Sequence, residues 1–254
     1  EGSKTAASAE LIVKVGHAAP MTGPQAHLGK DNENGVRLAI DELNANPPVI
    51  GGKPVKFELL SEDDQADPRI ATTVAQKFID EKVHAIIGHL NSGTTIPSSR
   101  IYADAQIPQI SPSATNVKYT QQGFKNAFRV MANDAQQGSV LGKFAVSQMN
   151  AKNIAIIDDR TSYGQGLADE FEKAATAAGA TIVGREFTTD KSTDFTAILT
   201  KIKGLNPDLL FFGGMDAQGA PMVKQMRTLG LAVPFLGGDG VNTAEFMALA
   251  GDAA

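Results

Sequence analysis

Cysteine is absent from the 254 residues, which excludes a disulfide, a thiolate nucleophile and any Cys-ligated metal. A basic excess is missing too. Lys and Arg number 23 against 28 Asp and Glu, the net charge is −5, and the two signs are interspersed. A nucleic-acid surface would cluster basic residues, so no nucleic-acid partner is expected. No apolar run approaches the length of a membrane span, and no charged segment leads into an apolar one as in a signal peptide. Catalytic signatures are lacking as well: there is no P-loop, H-E-x-x-H or G-x-S-x-G. Histidine occurs four times, as His17, His27, His84 and His89, without ligand spacing. These read as structural or surface residues, and neither a metal nor a cofactor is expected. Asp63-Asp64 and Asp158-Asp159 read as solvated strand ends that lead into helices, rather than as metal or acid–base pairs.

What is present is a βα rhythm. Residues 1–10 are small and polar and read as a tail, in which Ala7-Ser8-Ala9 has the form of a signal-peptidase site. From Leu11, short apolar runs alternate with helical periodicity. Ile12–Gly16, the alternating Val55, Phe57 and Leu59, and Ala85–Gly88 read as strands, and Ile107–Thr115 as a short strand ending in small hydroxyl residues. Val36, Ile40 and Leu43 share one helical face, and Ile70, Val74 and Phe78 another, with Asp67-Pro68 as N-cap and first helical residue. The rhythm restarts near Asn133-Asp134. Val140, Phe144 and Val146 suggest a helix, and strands are expected at Ile154–Asp159, Thr181–Phe187 and Leu209–Gly214, with Pro234–Gly240 as the last strand and turn. Such alternation predicts α/β architecture, with mainly parallel, doubly wound sheets. The count of units suits two sheets, with lobes over 11–131 and 132–254.

Ligands of doubly wound sheets bind outside the carboxyl ends of the strands. The stretch around which the chain is organised, His84 to Thr95, is a buried strand, a tight turn and a helix start. Ser92, Gly93 and Thr94 are therefore expected to offer backbone N–H groups and a helix dipole to an anion, with an ordinary N-cap as the plainer alternative. Other strand ends carry Ser113-Ala114-Thr115, Tyr163, Met215-Asp216 and Asp239. Hydroxyls and N–H groups suit a carboxylate, and Asp239 suits an ammonium, so the set suits a zwitterion. Tyr163-Gly164-Gln165-Gly166 lacks the full G-x-G-x-x-G and reads as a helix start.

Several segments resemble one family. Val13–Gly16 with Met21-Thr22-Gly23-Pro24, Ile86–Ser92, Ser111–Thr115, Tyr163–Gly166 and Gly213–Asp216 are similar, in register, to the leucine–isoleucine–valine-binding proteins. The resemblance implies a type I periplasmic binding fold, with two Rossmann-like lobes joined by a hinge. It implies capture of a free amino acid without catalysis, residence in the periplasm, and delivery to the membrane permease of an ABC importer by a monomer. A ligand-sensing receptor domain and an enzyme on the same architecture are the rival readings.

By this resemblance Ser92 and Thr115 contact the ligand carboxylate through hydroxyl and N–H. Leu90, Ser113 and Ala114 line the same wall, and Tyr163 and Asp239 hold the ammonium. Leu28 and Met215 stand where the family carries aromatics, and Asp239 where it carries glutamate. Ala66 and Asn91 stand where some members carry cysteines. Family members also run on beyond this length and return to the first lobe, so that lobe is expected to be incomplete and to leave apolar surface uncovered.

Overall fold

Runs that are apolar at every residue must hide both faces, and they become the central strands of parallel sheets. The computed structural model, which describes residues 10–254, contains two such sheets. The expected tail, Ala7-Ser8-Ala9 included, lies outside the described residues apart from Glu10. The described chain divides into two units. The first runs to Ala114 and resumes over Tyr119–Val130, and the second comprises Thr115–Lys118 and Met131–Ala254.

In chain order the first part contains β1 (Leu11–Ala19), α1 (Ala26–Ala45), β2 (Val49–Ile50), β3 (Lys53–Asp63), α2 (Pro68–Asp80), β4 (Ala85–Gly88), α3 (Ser92–Asp104), β5 (Gln109–Ser111), α4 (Lys118–Gln121) and β6 (Ala127–Arg129). The sheet order is β2-β3-β1-β4-β5-β6. Every pairing is parallel except that of the two-residue β2 with β3. Helix α2 starts as its sequence dictates: Asp67 accepts the N–H groups of Arg69 (2.8 Å) and Ile70 (3.3 Å), and Pro68 follows. Its inner face sets Val74 and Phe78 against Ile86 and Tyr102 in one core cluster. Helix α1 departs from the expectation. Val36 and Ile40 are buried, but Leu43 is 41% exposed at the rim of an apolar groove of about 460 Å³, floored by Val15, Phe57 and Ile87.

The second part contains α5 (Asp134–Ser147), β7 (Asn153–Asp158), α6 (Ser162–Ala177), β8 (Thr181–Phe187), α7 (Thr196–Gly204), β9 (Leu209–Gly213), α8 (Asp216–Thr228), β10 (Phe235–Gly237), a 3-10 turn (Asp239–Val241) and α9 (Ala244–Ala250). Its order is β10-β9-β7-β8, all parallel. Every residue of β9 is buried, and Phe211 stacks on Phe171 with ring centroids 3.7 Å apart. The expected helix forms as α5, and its buried face is set by small residues. Val140 and Phe144 are exposed, while Gly138, Gly142 and Ala145 are buried. Close approach to α6 decides this: a Cβ at Gly138 would stand 2.6 Å from Glu170 Cβ, and one at Gly142 would stand 2.7 Å from Ala174 Cβ. The helix face that fits is the one without side chains.

Candidate functional site

Strand order reverses between β1 and β4 in the first sheet and between β7 and β9 in the second. The crevice at each reversal is where a doubly wound sheet takes a ligand. Beyond β4, Asn91 is the N-cap of α3 in extended conformation, and its side chain makes no capping bond. The Asn91 carbonyl accepts the N–H groups of Thr94 (3.2 Å) and Thr95 (2.9 Å), and both threonine hydroxyls as well, at 3.0 and 2.8 Å. Thr94, expected among the anion donors, is thus fully buried with N–H and hydroxyl both engaged. The N–H groups at the very start of the helix belong to Ser92 and Gly93, which precede the first intrahelical bond. Gly93 has open space where a Cβ would stand.

Buried bonding holds this turn. His89 Nδ1 lies 2.7 Å from Asp64 Oδ2, and its Nε2 lies 2.9 Å from the Tyr102 hydroxyl. Burial, and then the charge of Asp64, push the Tyr102 phenol well up, so it remains protonated. His89 thus bridges the Asp64 carboxylate and the Tyr102 hydroxyl through its two ring nitrogens. The His89 carbonyl accepts from Thr95 Oγ1 (3.1 Å) and Ser111 Oγ (2.8 Å), and Ser111 Oγ accepts Ala114 N–H (2.9 Å). Ser113 Oγ donates to the Leu90 carbonyl (3.1 Å), and the Ala114 carbonyl accepts from Arg129 (2.9 Å). Asn91 Nδ2 donates to Gln25 Oε1 (2.7 Å), tying the turn to the start of α1, where Leu28 lies half-buried. Leu28, Leu90, Ser92, Ser113 and Ala114 thus lie at three strand-to-helix turns at the carboxyl end of one sheet.

In the second unit the Thr115 carbonyl accepts Asp134 N–H (2.9 Å), while Thr115 Oγ1 is buried without a hydrogen-bond partner. Tyr163, on the first turn of α6, donates its hydroxyl to Asp239 Oδ1 (2.7 Å) and accepts Gly240 N–H (2.9 Å). Burial, and then the neighbouring Asp239, raise the Tyr163 phenol well above its ordinary value, so it remains a donor. The Asp239 carboxylate is exposed. It is not the cap of α9, because Thr243 fills that role by accepting Phe246 N–H (3.0 Å). Met215, N-cap of α8, is 7% exposed, and its sulfur stands 2.9 Å from where a Gly240 Cβ would lie. Two features escaped the sequence. Gln137 Oε1 accepts Asp239 N–H (2.7 Å) from 102 positions away, a separation that no local pattern marks.

The second is the burial of the paired acids. Asp64, Asp158 and Asp159 are not solvated strand ends but are at most 2% exposed. Partners distant in sequence account for two of them: His89 holds Asp64, and Arg185 Nη2 holds Asp158 at 2.8 Å. Asp159 Oδ1 accepts the N–H and hydroxyl of Thr161, but its Oδ2 has no partner, and burial raises its pKa to about 6. Among the described residues no group of three His, Asp or Glu side chains is placed to share a metal ion. No helix among them is long and apolar enough to cross a membrane.

Comparison with known proteins places this geometry. The family described as "Periplasmic binding protein" matches residues 12–254. The Leu/Ile/Val-binding protein homolog 1 of Brucella abortus is 39% identical over 246 residues, covering 97% of this chain and 66% of that protein. The leucine-binding protein LivK of Thermotoga maritima superposes with a TM-score of 0.87 at 31% identity, over 95% of this chain and 67% of that one. LivJ of Streptococcus pneumoniae, in complex with isoleucine, superposes with a TM-score of 0.83 at 30% identity, over 94% and 68%. The chain spans about two thirds of the length of these relatives. All three are named as binding proteins, and none as an enzyme. The expected type I architecture of two doubly wound α/β sheets is thereby met, and the chain belongs to the periplasmic binding protein family.

Proposed function

We propose that the chain captures a free branched-chain or other small apolar amino acid in the periplasm and delivers it, as a monomer, to the permease of an ABC importer. In this reading the first unit binds the carboxylate with the Ser92 turn, walled by Leu28, Leu90, Ser113 and Ala114. Thr115 supplies a further hydroxyl. Tyr163 and Asp239 take the ammonium, and Met215 faces the side chain. The observation that carries the reading is the Asp239 carboxylate, fixed by Tyr163 at a strand end yet exposed. An exposed, oriented carboxylate matches an ammonium, and backbone N–H groups at a helix start match a carboxylate. The relatives support the ligand class, since they are named for leucine, isoleucine and valine. Calorimetric titration with the twenty amino acids, with product analysis alongside, tests the reading. Saturable binding of leucine, isoleucine or valine without turnover is expected. Turnover of the bound ligand, or binding of none of the twenty, refutes it.

A further inference from the structure

The residues on either side of Asp239 have no room for a side chain. A Cβ at Gly238 would stand 2.3 Å from Leu167 Cδ2 and 2.8 Å from Gln137 Oε1. A Cβ at Gly240 would stand 2.7 Å from the Gly214 carbonyl oxygen and 2.8 Å from Tyr163 Cε1. Between Gly238 and Gly240, Asp239 is therefore the one side chain that this tightly enclosed backbone presents. The turn's own bonding is sparse: Val241 N–H reaches the Gly238 carbonyl at 3.2 Å, and Asn242 N–H reaches that of Asp239 at 3.0 Å. Side chains from elsewhere must fix the rest.

We propose that Gln137 is a positioning residue for the Asp239 carboxylate, an inference that rests on Asp239 as the ammonium acceptor. Tyr163 fixes the carboxylate and the Gly240 N–H. Gln137 fixes the Asp239 backbone from the other side, by accepting its N–H at 2.7 Å. The orientation of the Gln137 amide is itself dictated. Its Nε2 donates to Asp134 Oδ1 at 3.2 Å, and the reversed amide would set two donors face to face at Asp239 N. Asp134 is buried as the first residue of α5, and its N–H donates to the Thr115 carbonyl. A hydrogen-bonded line thus runs from Thr115 through Asp134 and Gln137 to Asp239. Its effect is preorganisation: the carboxylate stands ready before the ligand arrives, and binding does not have to order the turn.

A double-mutant cycle tests this, with L-leucine as the probe and thermal melting as the control for folding. Gln137→Met removes the acceptor while keeping the chain length. The expected result is a ~5- to 10-fold loss of affinity for Gln137→Met, the scale of one hydrogen bond. In an Asp239→Ala background the Gln137→Met loss disappears, because there is no carboxylate left to position. If Asp239→Ala weakens leucine binding but Gln137→Met costs nothing, or costs the same in both backgrounds, the positioning role is wrong while the assignment of Asp239 stands. If Asp239→Ala leaves binding unchanged, or the unsubstituted chain does not bind leucine, the assignment falls and the inference falls with it.

Discussion

Asp239→Asn isolates the charge of the proposed ammonium acceptor. The substitution keeps the side chain's size, and its amide oxygen can still accept from the Tyr163 hydroxyl, now 2.7 Å from Oδ1. Gln137 still accepts the backbone N–H of residue 239. The turn is therefore retained, and an NH₂ group replaces the second carboxylate oxygen, donor against the ligand's donors. A hydrogen bond to a charged group contributes ~1.5–3 kcal/mol net. Asp239 is exposed, which excludes the larger cost of breaking a fully buried ion pair. The expected loss is then ~2 kcal/mol, or ~30-fold in affinity for leucine by titration calorimetry. The melting temperature of the unliganded protein should stay within a degree or two of the unsubstituted chain's, because no cap is removed. Unchanged leucine affinity would mean that no ammonium meets this carboxylate. A matching fall in stability would mean that the residue serves the turn and not the ligand.

Asp159 is a pH probe of the second unit. Its folded pKa is raised by burial from 3.8 to about 6, so its stabilising contribution is full below the unfolded value and is lost as pH rises through about 6. The loss amounts to ~3 kcal/mol once ionisation is complete. Asp159→Asn should therefore flatten the decline in melting temperature between pH 4 and pH 7, and parallel profiles would refute the assignment. Asp64→Asn weakens the bond at His89 Nδ1, at a cost of ~2 kcal/mol in urea unfolding, and should also lower leucine affinity through the Ser92 turn. Unaltered stability would sink that account. Gly240→Ala drives a methyl into the Gly214 carbonyl and the Tyr163 ring, so a destabilisation of ~1–3 kcal/mol with weakened binding is expected. A variant with wild-type affinity would show that the turn yields freely.

The sequence was readable where the deciding interaction was local. Leu209–Gly213 is apolar throughout and forms a wholly buried strand, and Asp67-Pro68 caps α2 from within three residues. The strand-end turns were legible for the same reason, since small residues directly after apolar runs mark where the backbone turns. Burial set by a neighbour was not legible. Val140 and Phe144 help mark α5 as a helix yet lie exposed, and the backbone of α6 approaches so closely that Gly138 and Gly142 lie beneath it. The acid pairs misled, because a carboxylate signals solvent until its partner is known. His89 is 25 positions from Asp64, and Arg185 is 27 from Asp158.

The hydroxyl residues show how that distinction reaches the candidate site. A Ser- and Thr-rich turn suggests hydroxyls for a carboxylate, yet Thr94, Thr95, Ser111 and Ser113 all turn theirs toward backbone carbonyls. Those hydroxyls fix the shape of the first unit's loops, and on the proposed reading the Ser92 turn they support meets the carboxylate. The second unit divides the work similarly: the Tyr163 hydroxyl and the Gln137 amide hold the turn, and one carboxylate is presented. On the proposed reading each unit thus offers one fixed charge preference, N–H groups in the first and a carboxylate in the second. A zwitterion satisfies both, whereas a ligand lacking either charged end leaves one preference unmet. Side-chain selectivity must then come from residues bearing no charge, Leu28 and Met215 among them. Because methionine has three rotatable bonds and adapts to irregular space, such a wall ranks apolar ligands by only ~1 kcal/mol per methylene.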